Sequence, residues 1–156
     1  MKKNKRTYVI VGITTLILII VSLKTFNDLR ERNIDDLISY KPTDFYSIGF
    51  TKDRNNIPVD RWSEWWTNDR KPADELIEFL SQYRVKKVNE EAFNDHLNKD
   101  SFEFTISNSD ANPIIVHAVK GHVHILVGNY YEIVNGPIDI EWIRKYNEKH
   151  LKSYRE

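Results

Sequence analysis

Ser101–Val134 reads SFEFTISNSDANPIIVHAVKGHVHILVGNYYEIV, and its hydrophobic period decides the fold. Phe102, Phe104 and Ile106 alternate with Glu103, Thr105 and Ser107, the two-residue period of a strand with one face buried. A turn cluster, Asn108–Pro113, separates this strand from Ile114–Val119. Lys120-Gly121 joins that run to His122–Val127, and Gly128-Asn129 leads into Tyr130–Val134. Such short loops between consecutive strands imply an antiparallel meander.

The loop at Lys120-Gly121 also sets a register. If those two residues are the whole loop, Val119 faces His122, His117 faces His124 and Val116 faces Ile125. One face then carries Ile114, Val116, Ala118, Val123, Ile125 and Val127, all apolar. A one-residue slip would mix histidines into that set, so the uniform face selects this register. The opposite face gathers His117, His122 and His124, with His117 and His124 as cross-strand neighbours about 5 Å apart at their β-carbons. A turn at Gly128-Asn129-Tyr130 would put Tyr131 and Ile133 into the core and bring Glu132 to the histidine face beside Leu126. Three imidazoles and a carboxylate suit zinc, copper or nickel. His117, His122, His124 and Glu132 are therefore the candidate metal ligands, and a divalent transition metal is the one cofactor the sequence suggests. The same four residues also serve as an ordinary polar outer face, or as paired imidazoles that repel when protonated.

Elements on either side complete the domain. Pro72, Asp74 and Glu75 suit a helix N-terminus, and Leu76, Ile77, Leu80 and Tyr83 follow at helical spacing. Phe45–Phe50 reads as a strand and Val85–Val88 as a short one. Asn89–Asp100 is polar, anchored by Phe93 and Leu97. Asn135-Gly136-Pro137 breaks the sheet, and Asp139 caps a last helix striped with Ile140, Ile143 and Tyr146. Two helices on one face of a twisted antiparallel sheet make an α+β fold, a β-meander packed by two helices.

Between the first strand and the first helix lies Arg61–Lys71, RWSEWWTNDRK. Trp62, Trp65 and Trp66 stand among charges, the composition of an interface anchor for a protein or glycan partner. Packing beneath the loop as a satellite core is the alternative. At helical spacing, Trp62 and Trp66 would share a face.

Thr7–Leu23, TYVIVGITTLILIIVSL, is 17 residues without a charge and reads as a transmembrane helix, and hence a lipid-bilayer contact through residues 7–23. No small-x-small cleavage site follows it, so the segment reads as a retained signal anchor rather than a cleaved peptide. Lys2, Lys3, Lys5 and Arg6 precede it and should hold the N-terminus in the cytoplasm. The expected organisation is a cytoplasmic tail over 1–6, the anchor over 7–23, a juxtamembrane helix or stalk over 24–43, and an extracytoplasmic α+β domain over 44–156.

Lys and Arg total 23, as do Asp and Glu. This balance leaves no electrostatic footprint for nucleic acid. The absence of cysteine excludes disulfides, thiolate metal sites and thiol nucleophiles. No GxSxG, HExxH, phosphate-binding loop or dinucleotide fingerprint occurs, so no enzyme reading is favoured.

The tract GNYYEIVNGPIDIEWIRKY, after two short strands and behind an anchor, resembles small membrane-anchored extracytoplasmic proteins of unknown function from Gram-positive bacteria. The resemblance spans about residues 72–150 and implies the topology above, with no functional residue to carry over. The expectation is a single-pass cell-membrane protein whose outer domain is a binding or interaction module, with a cell-surface protein as its partner. A metal-responsive histidine-cluster domain is the alternative, and an enzyme a more distant one.

Overall fold

The alternation read in residues 101–134 belongs to a larger sheet. In the computed structural model, residues 2–53, 57, 59–94, 101–126 and 128–154 are described. Their strands are β1 (Arg32–Asn33), β2 (Phe45–Thr51), β3 (Trp65–Thr67), β4 (Arg84–Val88), β5 (Phe102–Asn108), β6 (Ile114–Val119), β7 (His122–Ile125) and β8 (Tyr130–Ile133). They form one antiparallel sheet in the order β1-β4-β8-β7-β6-β5-β2-β3. The helices are α1 (Lys2–Leu29), α2 (Ile34–Ile38), α3 (Lys71–Ser81), α4 (Glu90–Asn94) and α5 (Ile140–Tyr154). The chain divides into two units, Met1–Arg30 and Glu31–Glu156.

The first unit is α1. Its apolar stretch, Arg6–Phe26, is 21 residues, about 31 Å at 1.5 Å per residue, against a hydrocarbon core of about 30 Å. It is therefore long and apolar enough to cross a membrane. Thr14 and Thr15 return their hydroxyls to the carbonyls of Ile10 and Val11, so these two polar side chains carry no unmet donor.

In the second unit the Lys120-Gly121 hairpin has the expected register. Val116 pairs with Ile125, His117 with His124, Ala118 with Val123 and Val119 with His122. Val116, Ala118, Val123 and Ile125 point inward and are buried, while Val127 lies outside the described residues. The following turn differs from the expectation. Leu126 and Gly128 adopt left-handed φ values of 56° and 77°, and the Ile125 amide donates to the Asn129 carbonyl at 2.9 Å. This ends β7 at Ile125 and pairs Tyr130 with His124 and Glu132 with His122. Glu132 thus joins the histidine face opposite His122 rather than beside Leu126.

The inner face is covered by three helices rather than two. Pro72 and Ala73 open α3, whose Leu76 and Leu80 are buried at helical spacing. The Trp142 backbone amide donates to the capping carboxylate Oδ1 of Asp139 at 3.1 Å, and Ile143 and Tyr146 of α5 turn inward. The Tyr146 hydroxyl donates to the Pro72 carbonyl at 2.9 Å, fastening α5 to the start of α3. The third helix, α2, buries Ile34 and Ile38 against the same core, and the Ile34 amide donates to Tyr83. Residues 31–43, within the stretch 24–43 read from sequence as a juxtamembrane helix or stalk, are thus part of the folded unit. A five-residue helix with two inward apolar side chains is too short to show a helical period.

Asn135 closes the α3–β4 corner. Its side-chain oxygen accepts from the Arg84 amide at 2.7 Å, and its amide donates to the Gln82 carbonyl at 2.8 Å. The two sheet edges, β1 and β3, are only two and three residues long, which limits unwanted strand addition.

The C-terminal turns of α5 are held to α3 by a buried imidazole. His150 is 5% exposed and stacks among Trp65, Tyr146 and Tyr154, with its Nε2 3.0 Å from Glu75 Oε2. Burial lowers the His150 pKa below its ordinary 6.5, outweighing the neighbouring Glu75 carboxylate. Burial acts to raise Glu75, but hydrogen bonds from Lys149 and His150 take it below 4.5. In both cases the unfolded chain binds protons more readily, so stability falls with acidification. The His150 contribution is complete above pH 6.5 and declines as pH falls through that value toward the folded pKa; the Glu75 contribution declines below 4.5. Urea unfolding between pH 7.5 and 5 should show a falling midpoint in the wild type. The same series on His150→Phe should be nearly flat over that interval, and an equal slope in both would remove His150 as the cause.

Candidate aromatic binding site

The strap before α3 holds three tryptophans in two different environments. A strand turns successive side chains to opposite faces, so within β3 Trp65 and Trp66 point apart. Trp65 is fully buried, stacked on Phe50 at 5.5 Å and packed beside Tyr146 at 5.8 Å. Its indole Nε1 donates to Asn147 Oδ1 at 2.7 Å, and Asn147 Nδ2 donates to Glu64 Oε2 at 2.6 Å. Glu64, also fully buried, accepts the Asp53 amide at 2.9 Å and the Lys52 amide at 3.3 Å. The Ser63 hydroxyl donates to the Trp65 carbonyl at 2.8 Å. This chain of bonds ties the strap to the end of β2 and to α5, and it fixes where the neighbouring tryptophans stand.

Trp62 and Trp66 face outward, 53% and 42% exposed. Trp66 pairs across the ladder with Gly49. A β-carbon at position 49 would lie 2.0 Å from Trp62 Cη2 and 2.4 Å from Cζ3, so the benzo edge of Trp62 rests on the bare backbone of β2. Glycine is required there for close approach rather than for an unusual φ. The two indoles sit side by side on the outer face, and the row continues through Thr105 to exposed Ile115. Asp60, Arg61, Trp62, Ser63, Trp66 and Tyr154 line a cleft of about 350 Å³ at this edge. The Tyr154 hydroxyl donates to Asp69 Oδ2 at 2.9 Å. Burial and that bond raise the Tyr154 pKa, so the phenol stays protonated at neutral pH. Asp69 is lowered by the Lys71 amide first and by Tyr154 second.

Of the three tryptophans proposed from sequence, the structure brings Trp62 and Trp66 to one surface and withdraws Trp65 into the core. Trp62 and Trp66 share a face, but on a strand-and-loop path and not on a helix. Sequence reasoning passed over Gly49, Glu64, Asn147 and Tyr154. Gly49 had a signal, since a glycine inside the aromatic run FYSIGF marks a close approach. Nothing local marks Glu64 and Asn147, which are 83 residues apart.

The three hairpin histidines lie on one face of the sheet. His117 and His124 are cross-strand partners, as are His122 and Glu132. Phe93, carried over the sheet by α4, packs on the first pair, with ring centroids 5.5 Å from His117 and 5.8 Å from His124. Tyr130 stacks on His124 at 4.4 Å. Among the described residues no group of three or more histidine, aspartate or glutamate side chains is placed to hold a metal ion. Leu97, the other expected anchor of this segment, lies outside the described residues.

No protein family, curated protein or solved structure matches this chain.

Gly49→Ala should push the Trp62 indole off β2. Because the ring can swing away, the expected stability cost is about 1 kcal/mol, with increased quenching of tryptophan fluorescence by acrylamide. In a Trp62→Ala background the same substitution should cost close to nothing, the signature of a direct contact. An equal cost in both backgrounds would place the strain elsewhere.

Proposed function

We propose that this chain is a single-pass membrane protein whose folded domain is an extracytoplasmic binding module, engaging its partner through Trp62 and Trp66. The observation that carries the reading is the contrast among three tryptophans within five residues of sequence. Trp65 is locked by hydrogen bonds at both ends of its anchor, while Trp66 and its neighbour Trp62 are held out into solvent. Exposing two indoles on a rigid mount forfeits the burial each would gain in a core, about 2 kcal/mol or more per side chain. A preordered aromatic pair regains it on contact with a partner and loses little conformational entropy in doing so.

The membrane part rests on the apolar span Arg6–Phe26 and on the lysines and arginine ahead of it, which favour a cytoplasmic N-terminus. The alternative, a metal-responsive domain, has less behind it, because His117 and His124 lie under Phe93.

Both halves are testable in cells. The chain has no native cysteine, so a single Ser109→Cys on an exposed turn reports topology. A membrane-impermeant maleimide should label it without permeabilisation, and labelling only after permeabilisation would reverse the orientation. A benzophenone amino acid at position 66 should give a discrete adduct under light. The same group at position 144, on the exposed face of α5, should give none. Equal yields from both positions would remove the tryptophan surface as the binding site.

A further inference from the structure

The donors and acceptors around the two indoles narrow the kind of partner. Among the described residues, the cleft beside Trp62 and Trp66 holds one carboxylate, Asp60, and one guanidinium, Arg61, with Tyr154 closing its far side. A cationic ligand suited to three aromatic faces would meet Arg61, and an anionic one would meet Asp60. An extended peptide adding to the sheet would find only the three residues of β3, and the Trp65 carbonyl is already taken by Ser63.

A neutral polyhydroxylated ring meets neither obstacle. Each hydroxyl both donates and accepts, so it can donate to Asp60 and accept from the multiple N–H groups of Arg61. The C–H face of a pyranose carries partial positive charge and matches the negative face of an indole. At about 350 Å³ the cleft falls at the small end of ligand sites, which run from about 300 to 1,000 Å³, and has room for one or two sugar rings.

We propose that the Trp62–Trp66 cleft is a glycan site that stacks pyranose rings on the two indoles and holds their hydroxyls with Asp60 and Arg61. This rests on the reading of that surface as the binding site and adds the chemistry of its ligand.

The test is calorimetric titration of the full chain in lipid nanodiscs, free of sugar-headed detergent. The probes are a β-1,4-linked N-acetylglucosamine hexamer and an α-1,4-linked glucose hexamer, with hexalysine and hexaglutamate as charged peptide comparators. At least one sugar should bind saturably while both peptides do not. Trp66→Ala and Asp60→Asn should each weaken that sugar at least tenfold, with thermal melting close to wild type. Trp66→Phe, which keeps an aromatic face, should recover most of the affinity. No heat from either sugar at 10 mM, or unchanged affinity in the two weakened variants, would overturn the glycan assignment. If a protein adduct still forms through position 66 under those conditions, the binding-module reading survives without the glycan. If no adduct of any kind forms there, both fall together.

Discussion

A glutamate with no solvent exposure has to be met by donors wherever the chain places it, and Glu64 is met from two directions. The amides of Lys52 and Asp53 reach it from the end of β2, and the side chain of Asn147 reaches it from α5. Asn147 then has its oxygen free for Trp65, so the carboxylate, the amide and the indole are satisfied together. Removing a single member would leave a buried polar group unmet, at a cost of about 1–3 kcal/mol and more where a charge is involved. The requirement couples three distant stretches of chain and sets the path of the strap between them. Everything outward of that strap, including the stance of Trp62 and Trp66, follows from where this network pins Trp65.

The sheet's outer face is thereby divided. Toward β7 and β8 it is covered, because α4 lays Phe93 over His117, His124 and Tyr130 and makes a second, smaller apolar layer. Toward β2 and β3 it stays open, with Gly49 lowered beneath an indole and Trp66 and Ile115 in solvent. The inner face shows no such division, since α2, α3 and α5 cover it with aliphatic side chains from Ile34 to Ile143. A sheet with one continuous core and one half-covered face offers a binding surface without sacrificing its main hydrophobic burial. The open half is also the half nearest the buried Glu64 anchor, so the exposed aromatics stand where the backbone is most constrained.

Much of this architecture was legible from residue order, and the limits are physical. The Lys120-Gly121 hairpin could be registered because a two-residue period with a uniform apolar face leaves one solution. The turn after it could not, because a left-handed Leu126 is not something its side chain advertises. The strands β1 and β3 were missed since two and three residues are shorter than any period that would reveal them, while α2 lies within the stretch read as a juxtamembrane helix or stalk. The tryptophans stand out in the sequence by their density, but their sorting into one core residue and two surface residues depends on Asn147, far along the chain. The histidines were placed on one face as read, yet their surroundings came from Phe93, whose segment is almost featureless in sequence.

The opposite environments of the tryptophans are the feature on which the binding surface depends. Fluorine NMR of the full chain labelled with 5-fluorotryptophan gives one resonance for each of the four tryptophans, assigned by single Trp→Phe variants. A soluble paramagnetic agent should broaden Trp62 and Trp66 strongly and leave Trp65 nearly untouched. Comparable broadening of Trp65, or protection of Trp66, would contradict the buried anchor and the exposed pair mounted on it.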